Sequence, residues 1–386
     1  MAQFSPKPEW LKVRAPGGDT YHHLKETFRK LDLHTVCEEA RCPNVGECWR
    51  EGTATVMLLG DVCTRGCRFC AVTTGDPRGA VDVREPEHVA RAIARLSLQY
   101  VVMTMVNRDD LLDGGAEHVA RTVRRLHALR PDLLIETLVG DFQGHMSGVD
   151  VVVDAGPDVF AHNVEVVRRI TRAIRDVRSS YDQSLAVLRR AKERQRRLAA
   201  EAAESGAPAP RRLTKSSIMV GIGETDDEVL EALRDLRDAG VDIVTIGQYL
   251  RPSPKHAPVQ RFVVPETFAA FERAALEMGF LYAASAPLVR SSYKAAEVFV
   301  RSLIDRTGAE LGAGGDAAEA GARAGEGAAR VEALLEERLA VARREAARLS
   351  AELDPDEPPS LGGLAAAGPP DERPRGLVPA ASLVRR

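Results

Sequence analysis

The sequence predicts an α/β protein built on a parallel sheet, and three observations lead to this fold class. Short apolar runs alternate with stretches of helical periodicity through residues 53–247. Runs such as Thr53–Leu59 and Tyr100–Met105 are almost continuously apolar, which is typical of parallel strands buried on both faces. Six βα units follow one another in this region. Tandem units of this kind imply parallel strands joined by right-handed crossovers.

The predicted elements follow in a regular order. Helices are indicated by apolar residues at helical spacing, by Pro86 at a first helical position, by Pro131 as a stop and by Gly240 as a C-terminal signal. The predicted strands are Thr53–Leu59, Tyr100–Met105, Leu133–Leu138, Asp158–His162, Ser216–Val220 and Asp242–Gly247. The helical stretches are those of Val89, Ile93 and Leu96, of Val119, Val123, Leu126 and Leu129, then Gly148–Asp154, Val164–Ile174, Ser184–Arg194, and the one after Thr225.

Three of these assignments need a reason of their own. Gly148–Asp154 has a β-branched run that favours a strand, but a parallel sheet needs a crossover element here, so we predict a helix. Thr225 and Glu228 form a capping box that opens a helix. Residues 199–211, rich in Ala, Gly and Pro, predict a flexible, solvated insert.

The two ends of the chain differ from its centre, and we predict three regions: 1–52, 53–304 and 305–386. Residues 21–32 predict a short helix leading to Cys37. Arg330–Glu352 predicts a helix whose mixed charges favour a solvated or loosely docked state over a dimer zipper. Beyond Asp354 the Pro-rich tail predicts disorder.

Composition excludes several classes of protein. With 386 residues, 44% hydrophobic and 28% charged, the chain is typical of a globular protein. A formal net charge of −3 excludes a strongly basic nucleic-acid footprint. No run approaches the roughly 18 apolar residues of a membrane span, and the N-terminus has no signal-peptide core. We expect a reducing, cytoplasmic location, because thiols survive best there.

All six cysteines fall between Cys37 and Cys70, in two triads. The first triad is Cys37, Cys42 and Cys48, with four and then five intervening residues. The second triad is Cys63, Cys67 and Cys70, with three and then two. A four-iron cluster is normally held by thiolates, so three cysteines leave one iron open to another ligand. We interpret the triads as two iron–sulfur sites.

Two other interpretations compete for the cysteines. A structural zinc site would use paired ligands at the C-x2-C spacing of zinc ribbons, and neither triad supplies two such pairs. Disulfides suit small secreted domains, whereas this chain is large and has no signal peptide. Both alternatives are disfavoured by the spacing and the context.

The second triad follows the first predicted strand directly. This is the carboxyl end of a parallel strand, where barrel and open α/β enzymes place their chemistry. Phe69 stands just before Cys70, where it could cover a cluster and face an adenine ring. The C-x3-C-x-aromatic-C pattern resembles the radical S-adenosylmethionine (SAM) superfamily, in which SAM fills the open iron position.

A narrower resemblance comes from several blocks in one order. The stretch TATVMLLGDVCTRGCRFCAV, with CEEARCPNVGECW upstream, is similar to the lipoyl synthase family. Further matching blocks are NRDDLLDGGAEH (107–118), DVFAHNVEVV (158–167), GQYLRPSPKHAPV (247–259) and PLVRSSYKA (287–295). The resemblance covers about residues 21–300. It implies a partial (βα)6 TIM-type barrel of the radical SAM type with N-terminal and C-terminal extensions.

The resemblance also implies an activity. A [4Fe-4S] cluster on Cys63, Cys67 and Cys70 would bind SAM and cleave it to a 5′-deoxyadenosyl radical. A second [4Fe-4S] cluster, on Cys37, Cys42 and Cys48, would give up sulfur for C6 and C8 of a protein-bound octanoyl-lysine. Abstracting hydrogen from a methylene needs such a cofactor, because no protein side chain provides a radical of matching strength.

The same resemblance implies the partners of the protein. They are octanoylated carrier domains of 2-oxoacid dehydrogenase E2 subunits and of the glycine cleavage H protein. A ferredoxin or flavodoxin would act as reductant, and an iron–sulfur carrier would rebuild the spent cluster.

Ser292 is the implied fourth ligand of the sulfur-donor cluster, from an Arg-Ser-Ser-Tyr motif at residues 290–293. Without the resemblance, the two serines would be read as an N-cap for a helix over Lys294–Leu303. The same four letters recur at Arg178–Tyr181, where the resemblance places no ligand.

SAM contacts are harder to assign from sequence. Asn163 and Arg178 are candidates for its carboxylate or ribose, but Asn163 could instead cap the next helix and Arg178 could be solvated. Asp109 and Asp110 suggest a metal-binding pair, although an acidic loop leading into a helix is the favoured interpretation.

Two other functions compete with the implied one. The first is another sulfur-inserting radical SAM enzyme, such as a biotin synthase or a methylthiotransferase. The second is a two-cluster electron carrier. The first triad and the Arg-Ser-Ser-Tyr motif argue against the former, and the open iron site against the latter.

Overall fold

The computed structural model describes residues 8–11, 26, 35, 44–50, 53–207, 212–292, 317–352 and 377–379. Its centre is a seven-stranded sheet in which every neighbouring pair is parallel and the spatial order equals the chain order. The strands are β1 (Thr53–Leu58), β2 (Tyr100–Met105), β3 (Leu134–Leu138), β4 (Val159–Ala161), β5 (Leu213–Val220), β6 (Ile243–Gln248) and β7 (Tyr282–Ala286).

The six predicted strands are confirmed, and a seventh was missed. Strand β7, with the sequence YAASA, pairs with β6 from Tyr282↔Ile243 onward. Its small residues give a weak apolar pattern, so its assignment depends on the pairing with β6.

Nine α-helices lie within the described residues. They are α1 (Val45–Arg50), α2 (Glu85–Ala94), α3 (Ala116–Leu129), α4 (Met146–Asp154), α5 (Arg168–Ile174), α6 (Tyr181–Glu204), α7 (Asp226–Asp238), α8 (Pro265–Glu277) and α9 (Ala317–Glu352). The predicted helix at 148–154 is confirmed by α4. The capping box is confirmed as well, because Thr225 and Glu228 each accept from the other's backbone N–H.

Two predictions around the fourth crossover are wrong. Residues 164–167 are not helical, because Glu165 extends the pairing with β5: its N–H donates to Ser217, and Met219 donates back to it. Helix α6 continues to Glu204, so the first part of the predicted insert is helical. An alanine-rich run has high helix propensity, and this outweighed the turn signals farther on.

The sheet is strongly curved. Tyr100, at the start of β2, and Ile243, at the start of β6, belong to one buried cluster with Leu134, Val159 and Leu213, the first residues of the strands between them. Residues from strands four apart can meet only on the concave face of a barrel-like sheet. The structure is therefore the partial barrel that was expected, with its amino end closed by apolar side chains.

A buried ion pair lies on the same concave face, above that cluster. Lys215 Nζ is 2.8 and 3.0 Å from the two carboxylate oxygens of Glu136, and both side chains are almost fully buried. Tyr100 Oη donates to the same carboxylate at 2.9 Å. Burial and the neighbouring Glu136 hold the pKa of Tyr100 well above its ordinary value.

Helices cover the convex face of the sheet. Ile135 and Phe160 pack there with residues of α2, α3, α4 and α6. A second core joins β5, β6 and β7 to α5, α7 and α8. Two cores along one sheet are expected for a barrel-like α/β domain of this size.

The C-terminal region packs on the barrel. In α9, Ala342, Ala346 and Leu349 are buried, and Leu335 packs against the cluster at the amino end. The predicted helix is thus confirmed, and one of its faces is docked. Of the tail predicted to be disordered, the structure describes Leu377–Pro379, which pairs antiparallel with Ala80–Asp82.

The predicted helix over residues 21–32 lies outside the described residues except for Glu26, which is helical. In the described parts of the chain, no helix is both long enough and apolar enough to span a membrane.

Candidate functional site

The second cysteine triad lies in the loop that follows β1, residues 59–75, here called the cysteine loop. Leu59 (φ 68°) and Gly60 (φ 82°) turn the chain out of the strand. Val62–Cys63 then pairs with Thr73–Thr74, and the N–H of Gly75 donates to the carbonyl of Cys63 at 2.9 Å. These contacts close the loop, so all three cysteines project from one short, tied segment.

The three thiols are free, half-buried and available to a ligand. Backbone N–H groups reach two of them: Arg65 N lies 3.4 Å from Cys63 Sγ, and Asp176 N lies 3.3 Å from Cys67 Sγ. Burial raises the pKa of Cys67, and it raises that of Cys70 to about 12. Thiolates in this loop therefore need a cation to offset their desolvation.

This donor set fits a [4Fe-4S] cluster bound by three cysteines. Each thiolate of such a cluster binds a different iron, and the N–H donors to sulfur are the kind of contact that tunes these clusters. Among the described residues, no three His, Cys, Asp or Glu groups are arranged to share a single metal ion. A cubane does not require that arrangement.

The loop after β6 clamps the cysteine loop from one side. The N–H of Ala257 donates to the carbonyl of Arg68 at 2.8 Å, and His256 Nε2 lies 2.9 Å from the carbonyl of Cys70. Ser253 Oγ is 2.8 Å from His256 Nδ1. Since Cys70 offers a carbonyl acceptor, Nε2 carries the proton, and Ser253 then donates to Nδ1.

Arg65, between Cys63 and Cys67, anchors the loop to the barrel. Its guanidinium contacts Asp109 at 2.8 Å, Asp141 at 2.6 Å and Ser179 Oγ at 3.0 Å. Asp109 follows β2, Asp141 follows β3, and Ser179 precedes α6. Sequence reasoning missed this set, and the suggested metal pair of Asp109 and Asp110 is instead paired with Arg65 and Arg108.

Arg178, a predicted SAM contact, lies against the same loop. It pairs with Asp176 at 2.8 Å and Asp109 at 3.1 Å, and it donates to the carbonyl of Thr64 at 2.6 Å. Asp176 in turn accepts from the N–H of Gly66 at 2.8 Å. The structure thus brings Arg178 to the cysteine loop, where its contacts hold the loop in place.

Asn163, the other predicted SAM contact, lies two residues beyond β4 and is half-buried. It does not cap the next helix, because α5 begins at Arg168 with Val167 as its N-cap. Its side chain lies near Glu165 and lowers the pKa of that carboxyl, against the larger effect of burial. The alternative role as a helix cap is therefore excluded, and Asn163 lies at the carboxyl end of the barrel.

Glu165 is a candidate site residue that sequence reasoning missed. Its φ of 68° is rare for a non-glycine residue, and such strain concentrates at ligand sites. Burial raises its pKa, and after burial its charge also raises the pKa values of Cys67 and Cys70. A carboxylate just after a barrel strand was the available signal.

Phe69 is partly buried and packs against the core formed by β5, β6 and β7 with their helices. This leaves part of the ring at the surface beside Cys70, consistent with the predicted position of an aromatic cover.

Only part of the first triad is described, since Cys37 and Cys42 lie outside the described residues. Cys48 is buried in α1, next to the fully buried Trp49. Thr35, two residues before Cys37, pairs antiparallel with Val56 of β1. The segment leading to the first triad is therefore attached to the strand that leads to the second.

A contact also joins α1 to the segment that carries Ser292. Asn44 Nδ2 donates to the carbonyl of Leu288 at 2.7 Å. Asn44 precedes Cys48 by four residues, and Leu288 precedes Ser292 by four. Ser292 is half-buried, and a Cβ at Gly247 of β6 would overlap the carbonyl oxygen of Val289. The serine segment thus lies directly on the sheet, close to α1.

Comparison with known proteins gives matches to two family models. Residues 57–236 match the radical SAM superfamily, and residues 3–42 match the N-terminal domain of lipoyl synthase of the radical SAM family. The second match includes Cys37 and Cys42.

Among the curated relatives of this chain are bacterial proteins named lipoyl synthase. The protein from Sorangium cellulosum is 89% identical over 387 aligned positions, spanning 100% of both chains. The protein from an Anaeromyxobacter species is 57% identical over 76% of this chain and 95% of its own length. The protein from Thermus thermophilus is 53% identical over 77% of this chain and 87% of its own length. The chain belongs to the lipoyl synthase family of the radical SAM superfamily.

Proposed function

We propose that Cys63, Cys67 and Cys70 hold the SAM-binding cluster and that Cys37, Cys42, Cys48 and Ser292 hold the sulfur-donating cluster. Family membership makes the protein a sulfurtransferase of lipoate biosynthesis that uses SAM and two [4Fe-4S] clusters and acts on lipoyl carrier proteins. When bound, the clusters supply the electron for SAM cleavage and the sulfur for C6 and C8 of octanoyl-lysine.

The observation that carries the proposal is the cysteine loop itself. Three free thiols lie in one closed loop at the carboxyl end of β1, with backbone N–H groups directed at two sulfurs. The loop after β6, Arg65 and Arg178 hold it from three sides. A loop fixed in this way keeps the spacing of the three thiolates constant. A protein that binds a cofactor must hold its ligands in such a fixed geometry.

The sulfur donor must reach the same place. Two contacts support this: Thr35 pairs with β1, and Asn44 bonds the segment that carries Ser292. The first ties the segment before Cys37 to the strand that presents the second triad, and the second ties the start of α1, which carries Cys48, to the segment that carries Ser292. Ser292, a hard oxygen ligand, suits a cluster that is dismantled during the reaction.

For SAM, we propose contacts from four side chains around the cysteine loop. Phe69 covers the adenine, and Asn163 and Glu165 bind the ribose or the amino-acid part. Arg178 stays a predicted SAM contact, and it has a second role in holding the loop through Thr64. Glu165 and Asn163 lie near each other, so they offer SAM one shared polar surface.

The specific partner proteins, the cellular location and the division of the chain into regions are also proposals. We propose that the carriers are 2-oxoacid dehydrogenase E2 subunits and the glycine cleavage H protein, with a ferredoxin or flavodoxin as reductant. An iron–sulfur carrier restores the donor cluster in the cytoplasm. The chain divides into residues 1–52, 53–304 and 305–386.

The test separates the two clusters. Wild type, Cys67→Ala and Cys48→Ala are incubated without oxygen with SAM, a reductant and an octanoylated carrier peptide. Deoxyadenosine and sulfur gain on the octanoyl chain are both measured. Wild type should contain about eight irons per chain, and each variant about four. Cys67→Ala should yield neither product, whereas Cys48→Ala should release deoxyadenosine without adding sulfur.

Ser292 has a matched control in its neighbour. Ser292→Ala should stop sulfur insertion but not SAM cleavage, and Ser291→Ala should behave as wild type. If Cys48→Ala lost SAM cleavage while its remaining cluster was intact, the assignment of SAM cleavage and sulfur donation to separate clusters would be wrong. Deoxyadenosine without sulfur in the wild type would favour another radical SAM activity.

A further inference from the structure

Arg65 is buried in an unusual place for a charge. It stands between two predicted cluster ligands, and its side chain is only 1% exposed. The guanidinium points into the barrel end, where Asp109, Asp141 and Ser179 surround it. We call these four residues the Arg65 network.

Four N–H donors of the guanidinium make hydrogen bonds in this network: Nε and Nη2 donate to Asp109, and Nη1 donates to Asp141 and to Ser179. Nη2 also lies 2.6 Å from the second carboxylate oxygen of Asp141, as an ion pair. A lysine has three donors on a single atom and could not span the three partners. The site therefore requires arginine.

The charge at this position is stable. Burial alone would lower the pKa of Arg65, but its hydrogen bonds to Asp109 and Asp141 raise it above its ordinary value. Burial would likewise raise the pKa of Asp141, and the bond from Arg65 holds it below the usual range. Buried ion pairs of this kind seldom stabilise a fold more than apolar residues of equal volume would. The buried charge of Arg65 is better explained by a role in holding the cysteine loop in position.

The backbone of Arg65 connects this anchor to the thiols. Its N–H lies 3.4 Å from Cys63 Sγ, and its carbonyl accepts from Thr74 Oγ1 at 3.2 Å. The next residue, Gly66, donates to Asp176, whose own N–H reaches Cys67 Sγ. Movement of the Arg65 side chain would therefore change the separation of Cys63 and Cys67.

We propose that Arg65 is a positioning residue that fixes the Cys63–Cys67 segment in its ligand geometry before iron arrives. The inference rests on the proposed assignment of the SAM cluster to this loop. The three carboxyl-end loops that supply Asp109, Asp141 and Ser179 then act as one support for the cysteine loop. Groups that orient metal ligands in this way typically contribute roughly 10–100-fold to metal affinity.

The chain offers a matched control in Arg130. This arginine is also fully buried, pairs with Asp132 at 2.8 Å and donates to the carbonyls of Ala94, Leu96 and Leu98. It lies between α3 and β3, at the amino end of the barrel, away from the cysteines. Loss of a buried arginine can thus be separated from loss of the cysteine-loop anchor.

The experiment uses full-length, reconstituted Arg65→Gln, Arg65→Lys, Arg130→Gln and Cys67→Ala. Each protein is challenged with an iron chelator. We follow the electron paramagnetic resonance signal that changes when SAM is added and measure how fast the chelator removes it. Melting temperatures are measured in parallel. Arg65→Gln should lose this signal about 10-fold faster than wild type or more. Arg65→Lys should fall between them, and Arg130→Gln should melt lower yet keep the wild-type rate.

The outcomes are distinct. Wild-type retention of the signal in Arg65→Gln overturns the inference, and so does equal loss in Arg130→Gln, which would mean general destabilisation. If Arg65→Gln does not fold, Arg65→Lys decides by the same comparison. A SAM-responsive signal that persists in Cys67→Ala would instead refute the assignment of the cluster to this loop.

Discussion

The two ends of the barrel are stabilised by different types of contact. At the carboxyl end, charged side chains from separate loops converge on the cysteine loop, as in the contacts of Arg65 and Arg178. At the amino end, the first residues of β2 to β6 form an apolar cluster on which Leu335 of α9 packs. The first end is held by ion pairs and hydrogen bonds, the second by burial of apolar surface.

The two buried arginines make the comparison sharper. Arg65 bonds side chains 44, 76 and 114 positions away, whereas most acceptors of Arg130 are backbone carbonyls. Carbonyls are present in any sequence, but carboxylates and a hydroxyl at set positions are not. The carboxyl end therefore depends on specific side chains, and the amino end depends mainly on shape and apolar contact.

The largest effect should come from the ion pair between the two ends. Lys215→Met removes the partner of Glu136 in the barrel interior and should lower the free energy of unfolding by about 3–5 kcal/mol. Glu136→Gln in the same chain should restore most of it, since Tyr100 keeps an acceptor. Denaturant unfolding of the single and double variants measures this. Equal stability of Lys215→Met and wild type would contradict a buried, paired charge.

The packing of α9 on the barrel can be weakened without touching the site. Leu349→Ala in α9 removes a buried side chain from the main core and should cost about 2–5 kcal/mol. Arg344→Ala, exposed on the same helix, should change stability by roughly 0.5 kcal/mol or less. Iron content and SAM cleavage should stay at wild-type values in both. Unchanged stability in Leu349→Ala would mean that α9 is not docked.

The smallest expected effect is a difference in pH dependence. The pKa of Asp141 is held low by Arg65, so its contribution to stability is present above its ordinary pKa and lost as pH falls through the lowered value. Burial raises the pKa of Asp158, just before β4, so its contribution is present below the ordinary value and lost as pH rises through the raised one.

The contributions of Asp141 and Asp158 to stability are measured as the free energy of unfolding over a range of pH. Asp141→Asn should flatten the acid side of the stability curve, and Asp158→Asn should flatten the side above the ordinary aspartate pKa. Matching slopes in the variants and the wild type would show that neither carboxylate is perturbed.

The sequence by itself determined the features that depend on residues close together along the chain. Alternating periodicity predicted six strands and the crossover helices, including α4, and the capping box at Thr225 was visible from two residues three apart. The cysteine spacing indicated which thiols share a loop, and the structure keeps Cys63, Cys67 and Cys70 together after β1. Such features need only neighbours along the chain.

Tertiary structure decided the rest. Strand β7 depends on its pairing with β6, and the docked face of α9 depends on a cluster built from five strands. The non-helical conformation of Glu165 depends on its bridge to Ile218. The Arg65 network joins positions up to 114 residues apart, which no local period encodes. These contacts exist because parallel strands bring their carboxyl ends to one edge, and only the folded sheet defines which loops meet there.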